Sequence, residues 1–309
     1  MAKPTIANVA ELAGVSQATV SRALRGATNV TEETRIKVQR AADQLNFTLS
    51  KSASALASGK TMRVILLVSG KLNEWFNSGV LQGVYEELAP VGYDVTPAFI
   101  TDRSELDRFF SQLPKSRNAD AIIISSFQLM PAMRDQLQAI DLPTVGVNVP
   151  AESGYFDASI SIDNSSAMTM AVRLLRSLGH TNIAFCSDYI PADMVYNTSQ
   201  RTQAFADAAQ ANATDGITFS LLTADAHDAP LSKSDLASQL TAKLLSLPER
   251  PTAVCVETDQ VAIALVKELR KQQLNVPEDI SVLGFDDAEI AQAADLSTIR
   301  QEPIELGRI

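Results

Sequence analysis

TIANVAELAGVSQATVSRALR, residues 5–25, decides how the rest of the chain is read. Ile6–Ala13 reads as a short helix, Gly14 as its punctuation and Ser16 as the N-cap of a second helix reaching about Leu24. Ala10, Gly14 and Val20 have the spacing of a helix-turn-helix. Ala10 is small where the second helix crosses it, Gly14 supplies the positive φ of the turn, and Val20 faces inward to lock the pair. Other helical hairpins share such a triplet. Downstream, Thr31 is placed to cap a third helix with Glu32 and Glu33 in its positive first turn, and Val38, Ala41 and Leu45 repeat at helical spacing.

Working outward, residues 47–61 change character. The run from Ser50 to Gly59 is small and polar and reads as a linker with latent helix propensity. From Arg63 the rhythm becomes strand then helix. Val64–Val68, Asp94–Phe99, Ala121–Ser125 and Thr144–Val147 are β-rich, with helical stretches Val80–Leu88, Ser104–Leu113 and Pro131–Ile140 between them. After about Asp163 the pattern restarts: helix 165–178 closing at Gly179, strand Ile183–Ser187, helices 199–211 and 235–246, strand Ala253–Glu257, helix 260–272 and strand Ser281–Phe285. Alternation of this kind means parallel sheets with right-handed crossovers, and two series mean two lobes with ligands at the carboxyl ends of their strands.

Composition narrows the class. With 309 residues, 46% of them hydrophobic and 20% charged, the chain reads as a soluble protein of two or three folding units. No apolar run reaches membrane-span length, and the N-terminus lacks the apolar core of a secretory signal, which makes the cytoplasm the expected compartment. Cys186 and Cys255 sit in apolar runs and read as buried free thiols. His180 and His227 offer no ligand cluster, so no metal is expected, and no cofactor loop such as G-x-G-x-x-G or a Walker motif is present. Net charge is −10, but it is unevenly spread. Residues 1–63 carry nine Lys/Arg against four Asp/Glu, and the remainder 17 against 32. A basic head on an acidic body suits phosphate contact by the head alone.

The run from Thr5 to Arg25 closely resembles the head of the lactose/galactose-repressor family of transcriptional regulators, and Asn29–Arg35 (NVTEETR) matches that family's next loop and helix. The resemblance continues through Gly179–Phe185 (GHTNIAF), Val276–Asp287 (VPEDISVLGFDD) and Leu296–Gln301 (LSTIRQ). It implies an α/β fold: an N-terminal helix-turn-helix domain at 1–46, a hinge with a minor-groove helix at 47–61, and a two-lobed periplasmic-binding-protein-like core at 62–309. The core would hold two parallel-sheet, Rossmann-like lobes, the first about 62–161 and 291–309, the second about 162–290. Members run on past the Glu302–Ile309 segment, so the chain is expected to be incomplete at its C-terminus.

The resemblance also carries site residues. Gln17 and Ala18 take the place of the variable base readers and Arg22 that of a guanine reader, with side chains suited to adenine, a thymine methyl and guanine O6/N7. Ser16, Thr19, Ser21, Thr5 and Asn29 take the place of phosphate positioners, or for the hydroxyls, of helix caps. Leu56 stands where the family inserts a wedge into the minor groove, although Leu49 and Ser54 replace its usual Pro and Arg. Segment 50–58 buries little and is expected to order only on DNA. In the core, Trp75 and Phe76, Asp102, Ser125, Asn148, Arg201 and Asp259 are the candidate effector residues. Trp75 either stacks on a ligand ring or packs inward; Asp259 either binds ligand or caps helix 260–272, or both. A sugar is the expected effector, with a purine-like corepressor as the rival. The expected partners are a near-palindromic double-stranded operator and a second copy of the chain. Two other classes share the core: a solute-binding protein, which lacks such a head, and an α/β enzyme, which needs a nucleophile or cofactor loop that the sequence does not display.

Overall fold

The computed structural model describes residues 4–48, 60–116, 118–129, 131–139, 142–149, 156–189, 196–226 and 231–309. They form two compact units, a helical head and a larger body that begins at Arg63.

The head is three helices, α1 (Ile6–Ala13), α2 (Gln17–Leu24) and α3 (Glu32–Gln44). Each begins on a hydroxyl cap: Thr5 accepts from the Asn8 amide, Ser16 from Thr19 and Thr31 from Thr34. Caps of this kind satisfy amides that a short helix otherwise leaves unpaired. Gly14 ends α1 with φ at 64°, as the turn requires, and Val15 N–H donates back to Ala10. The core is Val9, Val20 and Val38, all fully buried, among Ala10, Ala13, Ala23, Ala41 and Ala42. Alanines at the crossings let three short helices approach closely around three valines.

The body holds two five-stranded sheets. In the first, β1 (Arg63–Ser69), β2 (Asp94–Ile100), β3 (Ala121–Ser125), β4 (Thr144–Val147) and β5 (Ala158–Ile160) lie in the order β2-β1-β3-β4-β5, every pair parallel. Helices α4 (Trp75–Leu88), α5 (Arg103–Ser116) and α6 (Pro131–Gln138) make the crossovers. In the second lobe α7 (Asn164–Ser177), β6 (Asn182–Ser187), α8 (Asn197–Ala211), β7 (Thr218–Thr223), α9 (Lys233–Leu245), β8 (Ala253–Val256), α10 (Asp259–Lys271), β9 (Ser281–Asp286), the short α11 (Glu289–Ala293) and β10 (Ser297–Arg300) follow. Their sheet, again all parallel, runs β10-β9-β8-β6-β7. The two sheets therefore share one topology, with the order reversing between β1 and β3 and between β6 and β8. Such switch points open a crevice at the strands' carboxyl ends.

Several expectations change. β5, β7 and α11 were not legible: the three residues of β5 are too few to show a period, the six of β7 form an edge strand that buries only Leu222, and α11 is a single turn. β10 pairs with β9, so residues up to Arg300 lie with the second sheet, whereas the resemblance places 291 onward in the first lobe. The return to the first lobe is made by α12 (Pro303–Arg308), which packs on α4. Cys186 and Cys255 are buried and free. The β6/β8 register pairs Phe185 with Cys255 and Cys186 with Val256, so alternation puts the two thiols on opposite faces of the sheet, in separate cores. Burial pushes both thiols up, Cys255 to about 12, which leaves them inert.

The α4–α12 contact is backbone on backbone. A Cβ on Gly83 would lie 2.0 Å from the Ile304 carbonyl oxygen, and one on Gly307 would lie 2.4 Å from that of Val80. Arg308 fastens the pair by donating to Glu86 through Nε at 2.9 Å. Because backbone atoms cannot rotate away, Gly83→Ala is expected to cost about 1–3 kcal/mol, whereas Gln82→Ala on the exposed side of α4 should stay within about 0.5 kcal/mol. Urea unfolding of the two variants checks this.

Candidate functional site

In the head, α2 presents Gln17, Ala18 and Arg22 to solvent, with Ser21 half-exposed. Residues 17 and 21, and 18 and 22, are four apart and so share a face opposite the buried Val20 and Ala23. Thr5 and Ser16 are exposed but engaged as caps, and the Ser16 and Thr19 hydroxyls lie 2.9 Å apart. Asn29 is exposed in the loop before α3, where Arg35 donates to the Ala27 carbonyl at 3.2 Å. Leu56 and the segment 50–58 lie outside the described residues.

In the body, the strands' carboxyl ends place Ser125 and Asn148 on the first lobe, both buried. The backbone just beyond these strands is left-handed, φ 71° at Ser126 and 52° at Asn148, and amide side chains tolerate this best. From the second lobe, Arg201 sits one turn inside α8, since that helix begins at Asn197, two residues earlier than its spacing predicts. Arg201 is only 2% exposed. A buried cation needs a counter-charge and hydrogen-bond acceptors. Its Nε donates to Asn164 Oδ1 at 3.3 Å, one terminal nitrogen to the Glu257 carbonyl, the other to Gln301 Oε1 at 3.5 Å. Asp286 lies 3.9 Å away as its counter-charge, and the Phe285 ring stacks beneath it with the guanidinium carbon 3.6 Å from the centroid. Burial draws the guanidinium pKa down, opposed by the charges of Asp286, Glu257 and Asp259.

Asn164, Asn197, Phe285, Asp286 and Gln301 thus join the candidate set, none of them singled out from the sequence. Their signal was faint, although Phe285, Asp286 and Gln301 stand in the stretches that carry the family resemblance. Isolated amides and aromatics do not declare their partners.

Other candidates have different placements. Asp102 is exposed and caps α5, accepting from Ser104 Oγ at 2.7 Å and the Glu105 amide at 2.9 Å, and the Ser104 bond foremost holds its carboxyl below the usual range. Asp259 is fully buried but is not a cap, because α10 starts on it and Thr258 is the N-cap. Its carboxylate accepts from Ala288 N–H at 3.0 Å and Thr298 Oγ1 at 2.5 Å, tying α10 to the β9–α11 bend and to β10. Gly284 is glycine because a Cβ there would lie 2.2 Å from Asp259 Oδ1. Trp75 and Phe76 open α4, both half-buried, with ring centroids 6.5 Å apart; Phe76 packs on the first-lobe core. His180, at the end of α7, shares a 2.9 Å hydrogen bond with Thr252. Among the described residues no three His, Cys, Asp or Glu gather as a metal site, and no helix is long and apolar enough to cross a membrane.

A helix-turn-helix head with a duplicated parallel-sheet body around an interlobe polar cluster defines a ligand-responsive, DNA-binding transcriptional regulator. Residues 5–50 match the model of the lacI family of bacterial regulatory proteins, and residues 172–309 match a periplasmic binding protein-like domain. The HTH-type transcriptional repressor PurR of Vibrio cholerae is 30% identical over 98% of this chain and 88% of its own length. Among solved structures, the lac repressor dimer bound to operator and the anti-inducer ONPF superposes with a TM-score of 0.83 at 24% identity, over 99% of this chain and 90% of that one, a likeness of fold. The transcriptional regulator CelR in complex with cellobiose gives 0.66 at 26% identity, over 99% and 90%. The chain belongs to the lacI family of transcriptional regulators.

The cluster around Arg201 makes the body sensitive to pH. Burial pushes Glu257 up to about 7, against a hydrogen bond from the Asp188 backbone. A carboxyl whose folded pKa exceeds its unfolded value binds more protons in the fold, so its stabilising contribution is complete below the ordinary carboxylate range and is lost as pH rises through about 7. Burial likewise pushes Asp286 up to about 7, against the Arg201 charge, so the stability of the protein is expected to fall between pH 5 and 8, and Glu257→Gln to remove part of that fall and leave the part due to Asp286. Urea titrations at four pH values across this range (about one unit apart) give the slopes to compare.

Proposed function

We propose that this regulator is a cytoplasmic repressor that binds a near-palindromic operator as a homodimer and is controlled by a small polyhydroxylated effector, a sugar, held between the lobes of its core. The observation that carries the reading is the buried Arg201, which donates to Asn164 and is linked through it to Asn197 and on to Asn148, at the carboxyl-end side of both sheets. Guanidinium and amides supply the donors and acceptors that vicinal hydroxyls need, and a site built to pair hydroxyls rejects ligands that lack them. The cellobiose complex of a relative with the same fold supports the ligand class. Trp75 supplies a half-buried aromatic face suited to the C–H surface of a sugar ring.

On the DNA side, Gln17, Ala18 and Arg22 are the base readers and Thr5, Ser16, Thr19, Ser21 and Asn29 the phosphate positioners. One short helix reads only a few base pairs, so two heads related by symmetry are needed for useful affinity. Leu56 of the hinge is the wedge into the minor groove.

Two measurements test the reading. Arg22→Ala should cost about 1–3 kcal/mol of operator affinity per half-site and relax the preference at one base pair, so equal weakening on operator and random DNA overturns that assignment. Calorimetry with a panel of mono- and disaccharides, sugar phosphates and purine bases should find a sugar that binds the wild type and is lost in Arg201→Ala. Binding of a purine base in place of any sugar overturns the sugar assignment.

A further inference from the structure

Asn197 is 1% exposed and makes bonds in two directions. Its backbone N–H donates to the Ser126 carbonyl at 3.0 Å and its side-chain nitrogen to Asn148 Oδ1, both on the first lobe. Its side-chain oxygen accepts from Asn164 Nδ2 at 2.9 Å, and Asn164 in turn accepts from Arg201. Beside it, Phe127 and Tyr196 form an antiparallel bridge across the lobes. The first-lobe residues that meet Asn197, Ser126 and Asn148, both hold left-handed backbone, which persists in non-glycine residues where the surroundings over-determine it. The second lobe thus meets the first through the buried Asn197, by side chain and backbone, and through the adjacent Phe127–Tyr196 bridge, backed by the cluster around Arg201.

We propose that Asn197 latches the two lobes together in the ligand-free protein. The latch is made of neutral groups, the Asn148–Asn197 amide pair with the adjoining backbone bonds, so opening exchanges a few hydrogen bonds for water at modest net cost. A buried ion pair in that position would lock the lobes far more firmly. Because the pair is buried, Asn148 and Asn197 cannot part without being met by water or by groups of an occupant. The cleft is entered by breaking this bond. The latch does not depend on the effector being a sugar.

Two substitutions of nearly the same shape act on it with opposite sign. Asn197→Leu offers Asn148 neither a donor nor an acceptor, whichever way the Asn148 amide turns, which breaks the bridge. Asn148→Asp keeps the acceptor for Asn197 and gives it a charge, which shortens and strengthens the bond. Hydrogen exchange of the full-length protein without ligand at pH 7.5 or so reads the outcome. In Asn197→Leu, amides of 126–129 and 196–201 should exchange roughly tenfold faster than in wild type, and in Asn148→Asp slower, while β1 and β8 stay protected. Changes of the same sign in both variants, or no change in either, overturn the latch. Should Asn197→Leu fail to fold, Asn148→Asp decides alone: slower exchange supports the proposal and unchanged or faster exchange overturns it. No ligand enters the experiment, so its failure leaves the sugar reading standing, and failure of the sugar panel leaves the latch standing.

Discussion

A guanidinium almost wholly removed from water sets the terms for the rest of the body. Arg201 would be prohibitively costly where it lies without partners, and its partners come from four separate elements: Asn164 at the start of α7, the Glu257 carbonyl after β8, Asp286 at the end of β9 and Gln301 after β10. Phe285 supplies the floor. Satisfying one charge therefore fixes the relative positions of three strand ends and two helices. The carboxyl ends of the second sheet are held in register by electrostatics as much as by packing.

That constraint propagates. Gln301 also donates to Asp286, so the residue that leaves β10 for the first lobe is tied to the charge cluster. Asp259 does similar work one layer away, joining α10 to β10 through Thr298 and to the β9–α11 bend through Ala288, with Gly284 making room. Beyond Gln301 the chain passes straight into α12 and its close crossing with α4. A change in how the cluster is satisfied has short, stiff routes into both lobes, and a ligand-responsive regulator needs such routes, because a ligand shifts an equilibrium only through contacts that differ between its states.

The head follows a different economy. Its core is three valines among alanines, and every helix start is capped by its own hydroxyl residue. With no buried charge to satisfy, its face is free for surface chemistry: exposed Gln17, Ala18 and Arg22 on one side of α2, in a segment with a surplus of basic residues. The net negative charge belongs to the remainder of the sequence, which fits one chain carrying both a nucleic-acid reader and a receptor for a small molecule.

What the sequence by itself determined is local. The caps at Ser16 and Thr31, the positive φ at Gly14 and Gly179, the inward face of Val20 and the alternation of strands with helices all follow from a residue and its near neighbours, and each is found where the spacing places it. The same holds for the two thiols, whose apolar runs foretell burial. Tertiary structure alone decided the partners. Arg201 could be picked out as a cation in a helix, but not as one bonded to residues 37, 56 and 100 positions away. Asp259 carries the composition of a ligand-binding acid, and only the packing of β9 and β10 shows its oxygens already engaged. Asn197 and Asn164 are ordinary amides until the fold brings them beside Asn148. Capping and turn chemistry are set within four residues along the chain, whereas the pairing of buried polar groups is set by which strand ends meet in space, and no local pattern records that.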